Sequence, residues 1–242
     1  MNEHPAIFAH RGASGYSFEN TLEAFEKAKE LGADGIEIDV QQSSDFEYFV
    51  VHDNLLVRLA GIKRFVFEST ADEIKQVRLG KPFYRLFSKK RIPLLSDVLI
   101  WAKEQQMPIN LELKETLLEN LPHFEQMIAQ IELPEGSHIS SFHNELLVIV
   151  KRVRPDIETA LLITKKTPIQ EIVHYPHIDT IHANKKYYTR QFLNVLSVAD
   201  KKVRFYNIDG SEPYLVDPHP AVIGWITDYP DVVRKIIKKQ KA

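Results

Sequence analysis

Apolar residues along this chain follow two rhythms, one of period two and one of period three to four, and they alternate in a way that predicts strands and helices in turn. Ala6–His10 is a short apolar run that ends on His10-Arg11-Gly12, and Gly12–Gly15 is loop. Leu22, Phe25, Ala28 and Leu31 share one helical face, with Asn20 as the expected N-cap, Glu23 three residues on and Gly32 as the stop. Strand 34–40 follows, then polar Gln41–Asp45 and a second short apolar run, Tyr48–His52. Residues 54–91 break the rhythm with Gly61, Gly80, Pro82 and the basic Lys89-Lys90-Arg91, and hold one expected helix, Ala71–Val77. Regular alternation then resumes. The expected helices are Leu95–Gln105, Leu118–Ile131, Glu145–Val153, Arg190–Ala199 and one from Pro230; the strands are Ile109–Lys114, His138–Phe142, Thr159–Ile163, Thr180–Ala183, Val203–Ile208 and Val222–Thr227.

Alternating strands and helices predict an α/β fold with a parallel sheet, and the best fit is a TIM (β/α)8 barrel. Nine candidate strands are one too many, so one lies outside the barrel, and the pattern does not say which. The 41–47 connection is too short for a helical crossover. No hydrophilic linker divides the chain, which predicts one domain over 1–242 with 54–91 as an inserted cap segment after the third strand.

Within Gly35-Ile36-Glu37-Ile38-Asp39-Val40, the carboxylates Glu37 and Asp39 lie two apart and so share a strand face, about 6–7 Å from each other at Cα. An edge strand showing a polar face to water would also read this way. The neighbours favour chemistry instead. His10-Arg11, Glu37 with Asp39, His52-Asp53, and Glu112 with Lys114 all fall at or near the carboxyl ends of separate expected strands, and a parallel barrel gathers those ends on one rim. A lone strand-end histidine is more often a structural hydrogen-bonder; several polar groups on one rim are not a coincidence of that kind.

Three carboxylates, Glu37, Asp39 and Glu112, suit a hard divalent cation, Mg2+ or Ca2+, better than zinc. Arg11 and Lys114 suit a phosphate-bearing substrate, and His10 and His52 titrate near neutrality as an acid–base pair should. Together they describe cleavage of a phosphodiester.

Composition narrows the field. The 242 residues hold 31 Lys and Arg against 33 Asp and Glu, a net charge of −2, with no nucleic-acid footprint. The absence of cysteine excludes disulfides, thiolate zinc sites and cysteine nucleophiles and fits a reducing compartment. Met-Asn-Glu-His-Pro has no basic n-region or apolar h-region, and no apolar run approaches spanning length, so a cytoplasmic protein without stable membrane association is expected. His138, His143 and His182 read as structural or rim groups, Trp101 and Trp225 as packing, and basic Arg234–Lys241 as a solvated helix end. Glycine-rich nucleotide loops are absent.

The run His10-Arg11-Gly12, Glu19-Asn20-Thr21, Gly35–Val40, Val51-His52-Asp53 and Leu111-Glu112-Leu113-Lys114, with Ser141-Phe142 and Thr227-Asp228-Tyr229-Pro230 later, resembles the glycerophosphodiester phosphodiesterase family across essentially the whole chain. That resemblance implies a TIM barrel and metal-dependent hydrolysis of glycerophosphodiesters, such as glycerophosphocholine, to sn-glycerol 3-phosphate and an alcohol. It implies Glu37, Asp39 and Glu112 as metal carboxylates, His10 as proton acceptor, His52 as donor, and Arg11 and Lys114 as phosphate contacts. The family is similar to phosphoinositide-type phospholipases C, so the glycerol 2-hydroxyl is a candidate first nucleophile through a cyclic phosphate. Two departures stand out: Phe205-Tyr206-Asn207-Ile208 replaces a usual Trp-Thr-Val-Asn, and Asp45-Phe46-Glu47 replaces a usual Asp-Gly turn. Two competing functions are a phospholipase entered through Phe65, Val66, Phe67 and Phe83–Phe87, and a non-catalytic phosphoester-binding barrel.

Overall fold

A computed structural model describes residues 4–85 and 87–238. Leu86, the end of the basic tail (239–242) and the first three residues lie outside the described residues, so the expectations placed on them are not taken further. In chain order the main elements are β1 (Ala6–His10), α1 (Leu22–Glu30), β2 (Gly35–Gln42), β3 (Tyr48–Val50), α2 (Val57–Ala60), α3 (Ala71–Lys75), α4 (Pro82–Arg85) and α5 (Leu95–Glu104). They continue with β4 (Ile109–Leu113), α6 (Leu121–Gln130), β5 (His138–Ser141), α7 (Asn144–Val153), β6 (Glu158–Leu162) and α8 (Ile169–Ile172). The chain ends with β7 (Thr180–Asn184), α9 (Arg190–Val198), β8 (Lys202–Ile208), β9 (Val222–Thr227) and α10 (Pro230–Lys238).

Eight strands pair in parallel in the order β1-β9-β8-β7-β6-β5-β4-β2, and the β1–β2 pairing closes the ring. The fold is a TIM barrel. The supernumerary strand is β3, which runs antiparallel on β2 with Val40 opposite Val50 and Gln42 opposite Tyr48. The short 41–47 connection therefore closes a hairpin, as its length demands. Phe46 occupies the left-handed region there (φ 67°) and stacks on His123 with ring centroids 4.1 Å apart, where a glycine would turn without that cost.

Strand β2 is buried along its whole length, as expected for a parallel strand covered on both faces. Outside the barrel, α7 turns Leu146, Leu147, Ile149 and Val150 onto the strands, a helical stripe that joins the main core. Trp101 and Trp225 are both buried in that core, in line with packing roles. The 54–91 stretch packs on a second, smaller cluster built from Phe49, Leu56, Leu59, Val66, Ile74, Val77 and Ile92. Its Ala71 helix ends at Lys75, short of the expected Val77, and α2, α4 and α8 are single turns that periodicity does not flag.

One expectation is corrected. The N-cap of α1 is Thr21, whose hydroxyl accepts from the Ala24 amide, whereas Asn20 sits at φ 52° and turns its side chain to the barrel. The loop before it is tight. Gly12 has φ +77°, and a Cβ there would lie 2.7 Å from the Ala24 carbonyl carbon. Gly12→Ala is expected to cost roughly 2–4 kcal/mol, combining left-handed strain with overpacking, measured as a fall in the urea midpoint at unchanged m-value.

Candidate active site

In a parallel barrel, neighbouring strands in register carry their inward side chains at matched heights. His10 stands opposite Glu37 on β1 and β2, and Asp39 stands opposite Glu112 on β2 and β4. One ligand oxygen from each of Glu37, Asp39 and Glu112 lies within 4.8 Å of the others, and all three residues are buried. A cleft of about 160 Å³ opens over them, lined among others by His10, Arg11, Glu37, His52, Glu112 and Tyr206. Seven barrel strands, β1, β2, β4 and β6–β9, place residues on it, and His52 joins them from just beyond β3, outside the ring. All seven residues singled out by sequence therefore fall in one place: six line or form this cleft and Lys114 sits beside Glu112 and Asp39.

The electrostatics follow from three anions in a dry setting. Burial, with Asp39 nearby, pushes the Glu37 carboxyl up to about 8. Asp39 is held low against its own burial by the cations of Lys114 and Arg11. Lys114 Nζ lies 2.7 Å from Asp39 Oδ1 and also donates to Glu112, and Arg11 Nε lies 3.3 Å from Asp39 Oδ2. Asn20 Nδ2 donates to the same Oδ2 at 2.8 Å. Glu37 Oε2 accepts from the Arg11 amide at 2.8 Å, while buried Glu37 Oε1 has no hydrogen-bond donor. An orphaned buried carboxylate oxygen beside two further carboxylates is the arrangement a hard divalent cation completes, and the donor set fits Mg2+ or Ca2+.

Both imidazoles are oriented from behind by a carboxylate. His10 Nδ1 is 2.6 Å from Asp228 Oδ1, which also accepts from the Ser14 hydroxyl, and His52 Nδ1 is 2.7 Å from Asp53 Oδ1. With Nδ1–H given to the carboxylate, each neutral ring keeps Nε2 as its acceptor. The His10 pKa is raised: burial works against its charge, but the Asp228 hydrogen bond and the Glu37 charge outweigh it. Asp53 is in turn gripped by Arg58, whose guanidinium also bonds Glu19 at 2.5 and 2.7 Å, and Glu19 accepts from Arg11 at 2.8 Å. Arg11 itself is held at φ 54°, a strained position anchored by its amide on Glu37 and by its carbonyl, which accepts from the Asn20 amide at 2.9 Å.

Sequence reasoning assigns no role to Asp228, Arg58 or Glu19, reads Asn20 only as a helix cap, and places Asp53 on the rim without a partner. All but Arg58 sit within the quoted motifs, and that adjacency was the available signal. His138 and His182 are fully buried on β5 and β7, and His182 reaches the cleft floor; His143 lines an adjoining groove. Burial, with the positive charge of Arg204 nearby, pushes both His138 and His182 well below the ordinary histidine value, so they are neutral.

The family model for glycerophosphoryl diester phosphodiesterases matches residues 10–236. The chain belongs to this family. A glycerophosphodiester phosphodiesterase of Bacillus altitudinis is 32% identical over 249 residues, covering 97% of this chain and 99% of the relative. The uncharacterized protein YqiK of Bacillus subtilis is likewise 32% identical, over 245 residues and the same shares. Among solved structures, a phosphodiesterase from Oleispira antarctica in complex with the product sn-glycerol-3-phosphate superposes with a TM-score of 0.82 at 26% identity, over 97% of each chain. Family membership fits the barrel and the rim cluster alike. Among the described residues, no helix is long and apolar enough to cross a membrane.

Proposed function

We propose that the protein hydrolyses small glycerophosphodiesters, such as glycerophosphocholine and glycerophosphoethanolamine, to sn-glycerol 3-phosphate and an alcohol. The observation that carries this reading is the pair of carboxylate-backed imidazoles, His10 and His52, lining one cleft with a buried Glu37–Asp39–Glu112 cluster. A single Mg2+ or Ca2+ held by those three carboxylates would supply Lewis-acid neutralisation of the phosphate oxygens.

The chain's own side chains do the rest. Arg11 and Lys114, both held against Asp39 beside the cleft, would meet the charge that grows on the phosphorus oxygens in the transition state. His10, neutral and oriented by Asp228, accepts the proton of the attacking hydroxyl through Nε2. His52, oriented by Asp53, gives a proton to the departing alkoxide as its bond to phosphorus breaks. The first attacker is the glycerol 2-hydroxyl; it forms a cyclic phosphate and expels the alcohol, after which water opens the ring. Tyr206 lines the same cleft and supplies an aromatic wall in place of the usual tryptophan. Residues 54–91 act as a cap beside the mouth, and the absence of cysteine suits a cytoplasmic setting.

Phosphorus-31 NMR of a glycerophosphodiester panel tests this reading, with EDTA treatment and add-back of one cation at a time. The expected course is metal-restored glycerol 3-phosphate release with a transient cyclic phosphate; direct water incorporation without the cyclic species would replace the two-step route by a one-step one. Binding should also be visible without turnover. Saturation of the EDTA-treated protein at a hundred times Kd is expected to add about 2.7 kcal/mol of stability, read as a rise in Tm. Glu112→Gln should require a higher cation concentration for the same rise.

A further inference from the structure

The charge of this protein is unevenly divided. Between 54 and 91 the chain has ten Lys and Arg against three Asp and Glu, a net +7, while the remaining residues, with 21 basic and 30 acidic, carry −9. The same 38 residues hold an exposed apolar set: Leu55, Val57, Ile62, Phe65, Phe67, Phe83 and Phe87. Phe83 and Phe87 are 73% and 78% exposed, the most exposed aromatic side chains among the described residues, and pack edge to face with each other at 6.4 Å. Val66, which the sequence places in the same apolar group, is fully buried and belongs to the small core beneath.

These parts form one body. The Gly80 amide donates to the Leu59 carbonyl at 3.1 Å, the Arg85 guanidinium packs on Gly61 and donates to the Gly80 carbonyl, and Leu55 bridges to Phe65. The arrangement ties α4 to α2 and carries exposed Lys81 and Lys89 on either side of the phenylalanine pair in sequence, with exposed Lys63 next to Ile62. Leu55, Val57 and Arg58 also line a groove of about 620 Å³ that includes His52. The start of the segment, at Leu55, Val57 and Arg58, thus borders the mouth of the cleft.

We propose that this face docks the protein reversibly on an anionic lipid surface. The basic side chains meet the negative headgroups and the phenylalanines enter the boundary below them. A second copy of the chain is disfavoured on the same face, since the exposed Lys63, Lys81 and Lys89 of the two copies would repel. A single-stranded nucleic acid would use aromatic faces and positive charge but has no use for the aliphatic Leu55, Val57 and Ile62 beside them. Docking in this orientation holds the cleft beside the lipid surface, and it places no acyl chain in the cleft itself.

Co-sedimentation of the full chain with vesicles tests the proposal and needs no catalysis, so it stands or falls apart from the phosphodiesterase reading. Vesicles of phosphatidylcholine with one-third phosphatidylglycerol should pellet the protein at low salt; phosphatidylcholine alone should not, and raised salt should release it. Lys81→Glu with Lys89→Glu, and separately Phe83→Ser with Phe87→Ser, are each expected to weaken partitioning by about tenfold or more, with Tm and hydrolysis of soluble glycerophosphocholine unchanged. Equal binding to neutral vesicles, wild-type binding by both double variants, or pelleting without vesicles would overturn the proposal. So would equally tight binding to a homopolymeric RNA that survives loss of the phenylalanines, which would reassign the face to nucleic acid.

Discussion

His52→Ala is expected to lower kcat on glycerophosphocholine by roughly 10²–10⁴-fold while leaving Tm nearly unchanged. The side chain is a third exposed and its one described hydrogen-bond partner is Asp53, which keeps two bonds from Arg58 when the imidazole is removed. Little stability is therefore at stake. The rate is another matter, because a departing choline or ethanolamine alkoxide is a poor leaving group that needs a proton. A diester with a nitrophenolate leaving group needs none, so the variant should recover most of its rate there. The pH profile adds a second readout. In the proposed role His10 accepts a proton only when neutral, so the rate is expected to climb as pH rises through its raised pKa, and this acid limb should persist in the variant. Unchanged rates on both substrates would remove His52 from the chemistry.

Much of this site is legible in the chain because a parallel barrel converts a one-dimensional rule into a location. A polar residue at the carboxyl end of a parallel barrel strand belongs to the rim, and His10, Glu112 and Lys114 obey it. His52 arrives by another route: β3 runs antiparallel on β2 and returns its end to the level of Asp39, whose carbonyl accepts from the Val51 amide at 2.9 Å. Glu37 and Asp39 announce themselves further, since two carboxylates on one face of a buried strand are costly without a cation. What the pattern does not show is who pairs with whom. Asp228 meets His10 across 218 residues, and only closure of the barrel through β9 and β1 brings them together. Asn20 looked like a cap because it precedes a helix and is the right kind of residue; Thr21 serves equally well, and the buried charge of Asp39 decides which one turns away. The surplus strand was undecidable from periodicity because β3 has the composition of a barrel strand. Only the length of the 41–47 turn, read as a hairpin, identifies it.

The second large effect expected is at Lys114, and there two properties should move in opposite directions. Its ammonium lies between Asp39 and Glu112, two of the three carboxylates read here as metal ligands. Burial works against that charge, yet the two carboxylates hold the lysine pKa above its ordinary value, so it is a cation throughout the working range. Lys114→Ala removes a positive charge that competes with a divalent ion for the same oxygens. The variant should therefore bind Mg2+ or Ca2+ more tightly and depend on it more for stability: its Tm in EDTA falls, because Asp39 and Glu112 are left buried with less compensation, and saturating cation restores it. Turnover should nonetheless drop. A point charge beside the developing phosphorane oxygens contributes roughly 2–4 kcal/mol to the transition state, or about 30- to 1,000-fold in kcat. Lys114→Arg keeps the charge but replaces a compact ammonium with a wider fork in a buried slot, so it should recover stability in EDTA better than it recovers rate. A variant with both weaker metal binding and a lower rate would make Lys114 a support for the carboxylates alone. Tighter metal with slower chemistry separates the two roles, because a lysine that served only to neutralise the carboxylates would be replaced by the cation without loss of rate.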